Sequence, residues 1–198
     1  MPKKKILFLT EIAVLIAIII FLTVTRLGYL SLGPVLSITL MTIPVAIGAI
    51  ALGPLAGTIL GFAFGLTSFL QCYGADPFGV ALLNASPLYT FIVCVPTRTL
   101  VGLFTGLIAR ATSKRSVLSC TVASFACPLM NTVLFLGTLF LLFWSHPLVA
   151  GSDVTQSVFA LFIAFAGVNA VAEVIATGVV GTLVSKALMS MNKNQLGS

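Results

Sequence analysis

Arg98 is the residue whose type and position most clearly suggest chemistry in this sequence. It stands inside a long apolar stretch, where a charged side chain is unfavourable enough to be rare without a structural or functional reason. Its planar guanidinium can hold a carboxylate through two parallel hydrogen bonds. We expect Arg98 to face a polar cavity. It either binds an acidic ligand there or forms an ion pair with Glu173, at comparable depth in the last apolar stretch, and both readings are open.

Amide side chains on separate apolar stretches are candidates for the same cavity: Asn84, Asn131 and Asn169. An amide both donates and accepts, so it can bind the hydroxyl and amide groups of a small molecule. Interhelical hydrogen bonding explains each of them equally well. Gln71 ends the third apolar stretch, and Tyr73 and Asp76 follow it. We expect them to close the outer side of the cavity or, alternatively, to be solvated loop residues.

Small residues recur at four-residue spacing in two stretches. In the third apolar stretch they are Gly53, Gly57, Gly61 and Gly65. This spacing strips one helix face of side chains, so another helix can approach closely. In the first stretch, Ala13 and Ala17 form a similar notch, which either packs within the chain or accepts a partner helix.

Residue sets typical of catalysis or energy coupling are absent from the sequence. The single histidine, His146, falls in a predicted loop, and there is neither an HExxH motif nor a glycine-rich phosphate loop. The four cysteines form no CxxC pair and are expected to be buried thiols without a metal. These absences argue against an enzyme and against a built-in ATPase, so active transport would need energy from a partner or from an ion gradient.

Composition defines the elements that must position these residues. Of 198 residues, 59% are hydrophobic and 7% charged, with a mean hydropathy of +1.20, whereas soluble domains carry about 25% charged residues. Each bilayer crossing uses about 20 apolar residues. We therefore predict an all-α fold, a single membrane domain over residues 1–191. Its six transmembrane helices are placed at about residues 6–25, 37–52, 54–71, 84–111, 117–144 and 155–190, with an exposed loop over residues 72–83.

Loop charges predict the orientation of this bundle. Basic residues cluster at the N terminus, after the fourth helix and after the sixth, while Arg26 alone falls near the opposite face. Because cytoplasmic loops are rich in Lys and Arg, both termini are expected to be cytoplasmic. The net charge of +6 therefore requires no nucleic-acid partner. The polar tail over residues 192–198 resembles in part a cloning remnant, and we expect no functional residue in it.

Two stretches resemble a known transporter family. The segment from Leu32 to Gly57 contains Gly-Pro-x-x-x-Ile-Thr-Leu and Ile-Pro-Val-x-Ile-Gly-Ala patterns, and Gly61 to Phe69 follows it. These motifs, with the alanine notch of the first helix and the chain length, are similar to the substrate-binding S components of energy-coupling factor (ECF) vitamin transporters. Within that family the patterns most resemble pantothenate-type subunits, followed by hydroxymethylpyrimidine- and pyridoxine-type subunits.

The resemblance implies a substrate-capturing subunit in a bacterial cell membrane. Its implied partners are a membrane-embedded T component, contacted by Ala13 and Ala17, and two ATPase subunits that hydrolyse ATP, while this chain holds no cofactor. Pantothenate has a carboxylate for Arg98 and an amide and two hydroxyls for the asparagines, and the loop from Leu27 to Leu36 is placed to cover the pocket. Because a carboxylate beside an anionic ligand is repulsive, we expect Glu173 to neutralise or orient a basic group instead.

A small channel or exporter and a membrane enzyme are the competing classes. A continuous pore needs polar residues along its full length, whereas the polar residues here cluster at mid-membrane. That pattern favours a closed binding pocket.

Overall fold

The structure, a computed structural model, describes residues 3–25, 27–31, 37–74, 76–112, 117–143, 171, 173–184 and 187. These residues form helices and one short β-hairpin. In chain order the elements are α1 (Lys3–Val24), β1 (Tyr29–Ser31), β2 (Ser37–Thr39), α2 (Thr42–Ala51), α3 (Pro54–Gln71), α4 (Pro77–Ala85), α5 (Pro87–Ala111), α6 (Val117–Phe143) and α7 (Glu173–Val184). The strands β1 and β2 pair antiparallel, with Tyr29 opposite Thr39.

Four of these helices are long and apolar enough to cross a membrane: Lys5–Val24 within α1, α3, α5, and Leu118–Phe143 within α6. Two further apolar helices, α2 and α7, are shorter. The helical architecture therefore agrees with the predicted class.

Helix bounds differ from the sequence prediction in three places. The fourth helix, predicted over residues 84–111, is interrupted at Ser86, so that α5 begins at Pro87. The second helix begins at Thr42, because residues 37–39 form β2. The predicted loop over residues 72–83 was wrong, because it contains most of α4. Asp76 caps this helix by accepting hydrogen bonds from the backbone N–H groups of Phe78 and Gly79, at 3.2 and 3.1 Å. Of the predicted sixth helix, only the part around α7 falls within the described residues.

The break between α4 and α5 has a local cause. Ser86 has an extended backbone, and its side chain accepts from the N–H of Tyr89, which starts a new helix. Pro87 follows as the first helical residue, where a missing N–H does no harm. The same Asp-Pro and Ser-Pro sequences that suggest turns therefore act here as two successive helix starts.

The glycine face of α3 lies directly against the backbone of α5. A Cβ atom placed on Gly57 would meet the carbonyl oxygen of Gly102 at 2.2 Å, and one on Gly61 would meet that of Arg98 at 2.3 Å. At Gly65 the nearest atom is the Cα of Val95, at 2.8 Å. The absence of side chains on this face thus sets how deeply α5, and with it Arg98, sits in the bundle.

Gly53 plays a different part, because it forms the turn between α2 and α3. Its φ angle is +101°, a conformation that residues with a Cβ rarely adopt. Pro54 follows at the start of α3. This turn allows α2 and α3 to fold back on each other.

Buried apolar residues from five helices, together with Met41 just before α2, form the main core. They are Ile19, Met41, Val45, Ala46, Leu60, Phe64, Val101 and Cys127. Phe64 belongs to this core, and its ring also contacts Arg98. One side chain therefore serves both the core packing and the candidate site.

Candidate ligand-binding site

Arg98 lies in the interior of α5 with only 8% of its surface exposed. Its guanidinium carbon is 4.8 Å from the ring centroid of Phe64 in α3 and 5.1 Å from that of Phe135 in α6. Aromatic faces attract a cation at this range. The two rings therefore hold the guanidinium between α3 and α6 without using its hydrogen-bond donors.

Among the described residues, hydrogen-bond acceptors are found for only one nitrogen of that guanidinium, Nη1. Nη1 lies 3.4 Å from the carbonyl oxygen of Val93 and 3.3 Å from that of Cys94. Nε is buried and has no hydrogen-bond partner within the described part of the chain. Buried donors in proteins are nearly always paired, so an orphan of this kind needs an explanation. A hydrogen-bond acceptor on a bound ligand would pair with this N–H group.

Arg98 and Glu173 do not form the ion pair that the sequence left open. Among the described residues, Arg98 donates to backbone carbonyls of its own helix. Glu173, only 5% exposed, instead accepts a 2.8 Å hydrogen bond from the backbone N–H of Thr39. Among the described residues, the two charged groups are therefore not joined in an ion pair, although the charge of Arg98 still acts on Glu173 at longer range.

Asn131 supplies a second unpartnered polar atom. It is 8% exposed on α6, and its Oδ1 is buried without a hydrogen-bond partner in the part of the chain that the structure describes. Asn131 precedes Phe135 by one helical turn, so both lie on one face of α6. The site thus offers a buried donor, Nε of Arg98, and a buried acceptor, Oδ1 of Asn131.

Comparisons with known proteins identify the family. A family model described as "ECF transporter, substrate-specific component" matches residues 7–185. The chain belongs to this family. It is also similar to the "Pantothenic acid transporter PanT" of Lactococcus lactis subsp. cremoris (strain MG1363), with 30% identity over 98% of this chain and all of the relative. The protein is thus a multi-pass membrane protein and a transport subunit, an S component.

Three other predicted site residues of this S component fall within the described ranges, and none of the three is buried. Asn84 is exposed in the last turn of α4. Tyr73 is 68% exposed and stacks edge-on against Phe69, with 5.6 Å between ring centroids. Gln71 is half-buried at the end of α3, and Asn169 lies outside the described residues. The structure therefore brings Asn131, but not Asn84 or Tyr73, to the buried side of the bundle.

Two residues of the S component that matter here were missed by sequence reasoning. Phe64 and Phe135 enclose Arg98, but fifteen phenylalanines in an apolar chain offer no means of selecting them. A weak signal exists for each: Phe135 is one turn from Asn131, and Phe64 directly precedes Gly65 on the close-packed side of α3.

The alanine notch of the S component is open. Ala13 and Ala17 are both exposed on α1, in line with Leu9 and Phe21, which are 56% and 60% exposed. No described residue covers this face. The partner contact at Ala13 and Ala17 stays a prediction.

The four cysteines are buried, and none of them forms a disulfide. No group of three or more metal-ligating residues occurs within the described ranges.

Proposed function

We propose that this S component captures pantothenate from outside a bacterial cell and delivers it inward together with energy-supplying partners. Four buried side-chain atoms lack a hydrogen-bond partner among the described residues, and the proposal is carried by two of them, Nε of Arg98 and Oδ1 of Asn131. The similarity to a protein named as a pantothenic acid transporter supports the same substrate.

The chemistry of the site fits an anion that also carries hydrogen-bond donors. The carboxylate of pantothenate accepts from the unoccupied side of Arg98, and charge-assisted bonds of this type contribute about 1.5–3 kcal/mol each. A hydroxyl or amide N–H of the ligand donates to Oδ1 of Asn131. We include Asn169 as a further candidate contact on sequence grounds, and leave out Asn84, Gln71 and Tyr73.

Hydroxymethylpyrimidine and pyridoxine complement Arg98 and Asn131 less well than pantothenate does. Hydroxymethylpyrimidine and pyridoxine lack a carboxylate, so they would leave the buried arginine without a counter-charge. A buried unpaired charge is strongly unfavourable. Pantothenate is therefore favoured over both.

We further propose the membrane arrangement and partners. Six transmembrane helices are proposed, with α2 and α7 as parts of two crossings besides the four long spans. Both termini are placed in the cytoplasm of the bacterial plasma membrane on the basis of loop charges. A T component would contact Ala13 and Ala17, and two ATPase subunits would hydrolyse ATP, so this chain needs no cofactor of its own.

Calorimetric titration of the purified subunit alone tests this function. We expect saturable pantothenate binding near one site per chain, without ATP, and at least roughly tenfold weaker binding of hydroxymethylpyrimidine and pyridoxine, because neither supplies the carboxylate. Tighter binding of a comparator would overturn the substrate. Failure to bind any of the three would overturn the proposed capture function.

A further inference from the structure

One face of α7 contacts the β2–α2 junction at three successive levels. Oε1 of Glu173 lies 2.8 Å from the backbone nitrogen of Thr39. One turn later, the hydroxyls of Thr177 and Thr42 are 2.8 Å apart. One further turn along, a Cβ atom on Gly181 would meet Ser124 of α6 first, at 2.9 Å, and would lie 3.8 Å from the Cβ of Ala46. The four-residue spacing on α7 keeps these contacts on one face, which we call the α7 seam.

The hydrogen bond from Thr39 to Glu173 pairs a backbone N–H that lies on the open edge of the hairpin. In a two-stranded hairpin each strand has one edge without a partner strand, and every second N–H points to that edge. Thr39 is opposite Tyr29 of β1, yet its N–H donates to Glu173. This N–H therefore points away from β1, and Glu173 provides the acceptor that a third strand would otherwise give.

The junction held in this way packs against the residues that support the ligand site. Met41, directly before α2, is fully buried in the same core as Phe64, the ring that contacts Arg98. The carbonyl oxygen of Thr42 is 3.9 Å from Sγ of Cys127, one turn before Asn131 on α6. A displacement of the junction is thus transmitted to both sides of the site.

We propose that Glu173 is a positioning residue, whose carboxylate oxygen accepts the edge N–H of Thr39 and so fastens the hairpin and α2 to α7. We assign this role to hydrogen-bond acceptance, because the bond from Thr39 is direct, whereas among the described residues Glu173 makes no ion pair and the charge of Arg98 acts on it only at longer range. Its effect on the ligand, slower release of bound pantothenate, rests on the proposed function. Its effect on the hairpin does not.

Three variants distinguish hydrogen-bond acceptance by Glu173 from the effect of its negative charge. Glu173→Gln keeps the accepting oxygen and removes the charge, whereas Glu173→Met removes both at similar volume. Glu11→Gln is the matched control, since Glu11 is a carboxylate of α1 outside the seam. Backbone amide hydrogen exchange over residues 37–43, measured without ligand in purified protein, reports the hairpin, and pulse-chase release of labelled pantothenate reports the site.

We expect Glu173→Met to accelerate exchange at Thr39 by roughly tenfold or more, because its N–H loses its acceptor, and to accelerate pantothenate release. Glu173→Gln and Glu11→Gln should remain within about twofold of the wild type. Equal damage by Glu173→Gln and Glu173→Met would overturn acceptance as the mechanism. Unchanged exchange in Glu173→Met would overturn the seam.

A second variant covers the case in which Glu173→Met does not fold. Thr177→Val removes the next bond of the seam and leaves Glu173 in place. Faster exchange over residues 37–43 would support the seam, and unchanged exchange would overturn it. If the wild type binds no pantothenate, the proposed function fails while the exchange measurement still decides the role of Glu173.

Discussion

Arg98 and Asn131 each bury a polar atom that the described protein does not satisfy. Leaving such an atom unpaired is unfavourable by about 1–3 kcal/mol, and more for a charged group. A ligand that supplies both partners recovers that free energy on binding. At the scale of single residues, we therefore expect a ligand that pairs with both atoms to bind tightly.

We predict that Asn131→Leu weakens pantothenate binding by roughly tenfold, because the ligand donor loses its acceptor. The folded subunit should be no less stable than the wild type, since Leu has a similar volume and leaves no unsatisfied amide. Calorimetry and thermal unfolding of the same preparations measure the two effects. Asn84→Leu, at an exposed asparagine of α4, is the control and should bind as the wild type does. Equal binding by both variants would exclude Asn131 from the site.

Sequence alone indicates some of these residues and not others. A charge inside an apolar stretch made Arg98 conspicuous, and its burial is observed. The aromatic rings that hold it come from two other helices, and no local pattern selects them. The bond between Thr39 and Glu173 joins residues 134 positions apart, so only the folded chain reveals that Glu173 serves the hairpin rather than Arg98.

At the scale of elements, α3 and α5 depend on having no side chain where they cross. Gly57 faces Gly102 so closely that a Cβ on Gly102 would lie 1.9 Å from the carbonyl oxygen of Gly57. Neither backbone can retreat without moving its whole helix. Because Arg98 lies one turn from Gly102 on α5, this crossing also fixes the position of the guanidinium.

Gly57→Ala is therefore expected to destabilise the subunit by about 1–3 kcal/mol, the usual effect of overpacking a tight interior. Gly137→Ala is the matched control, because a Cβ on Gly137 meets no atom within 4 Å. There the alanine should be neutral or stabilising by up to about 1 kcal/mol, as expected from helix propensity. Thermal unfolding in the same detergent compares them. Similar melting temperatures for the two variants would contradict the proposed role of the crossing.

Element boundaries were predicted best where composition changes sharply. The Gly-Pro pair before α3 and the polar residues after it define both ends of that helix. The region before α5 was predicted less well, because Pro, Asp and Ser are used in turns and in helix caps alike. Asp76 and Ser86 are recognised as helix caps only from the structure, where their side chains accept hydrogen bonds from the backbone N–H groups that follow.

At the scale of the whole molecule, α1 is the least enclosed of the long helices. Residues along its length are exposed, among them Leu9, Val14 and Phe21. The apolar composition that predicted a membrane protein explains this exposure in part, because lipid covers such a face. The open notch at Ala13 and Ala17 marks where we propose that the T component packs.

We predict that the double variant Ala13→Leu/Ala17→Leu retains pantothenate binding but loses uptake into cells that contain the other subunits. Filling the notch prevents close helix approach without touching the site. Co-purification with the T component and uptake of labelled pantothenate are the measurements. Ala81→Leu, at an exposed alanine of α4, is the control and should assemble normally. Normal assembly of the double variant would move the partner interface elsewhere.

The claim that Arg98 binds the carboxylate is tested most directly by comparing pantothenate with pantothenol, its uncharged alcohol, on two proteins. The wild-type subunit should bind pantothenate roughly tenfold to a hundredfold more tightly, since charge-assisted hydrogen bonds differ from neutral ones by this order. In Arg98→Met, which keeps a long side chain between the two phenylalanine rings, the ratio of the two dissociation constants should fall close to one. A wild-type subunit that binds both compounds equally, or a variant that keeps the wild-type ratio, would contradict the carboxylate clamp.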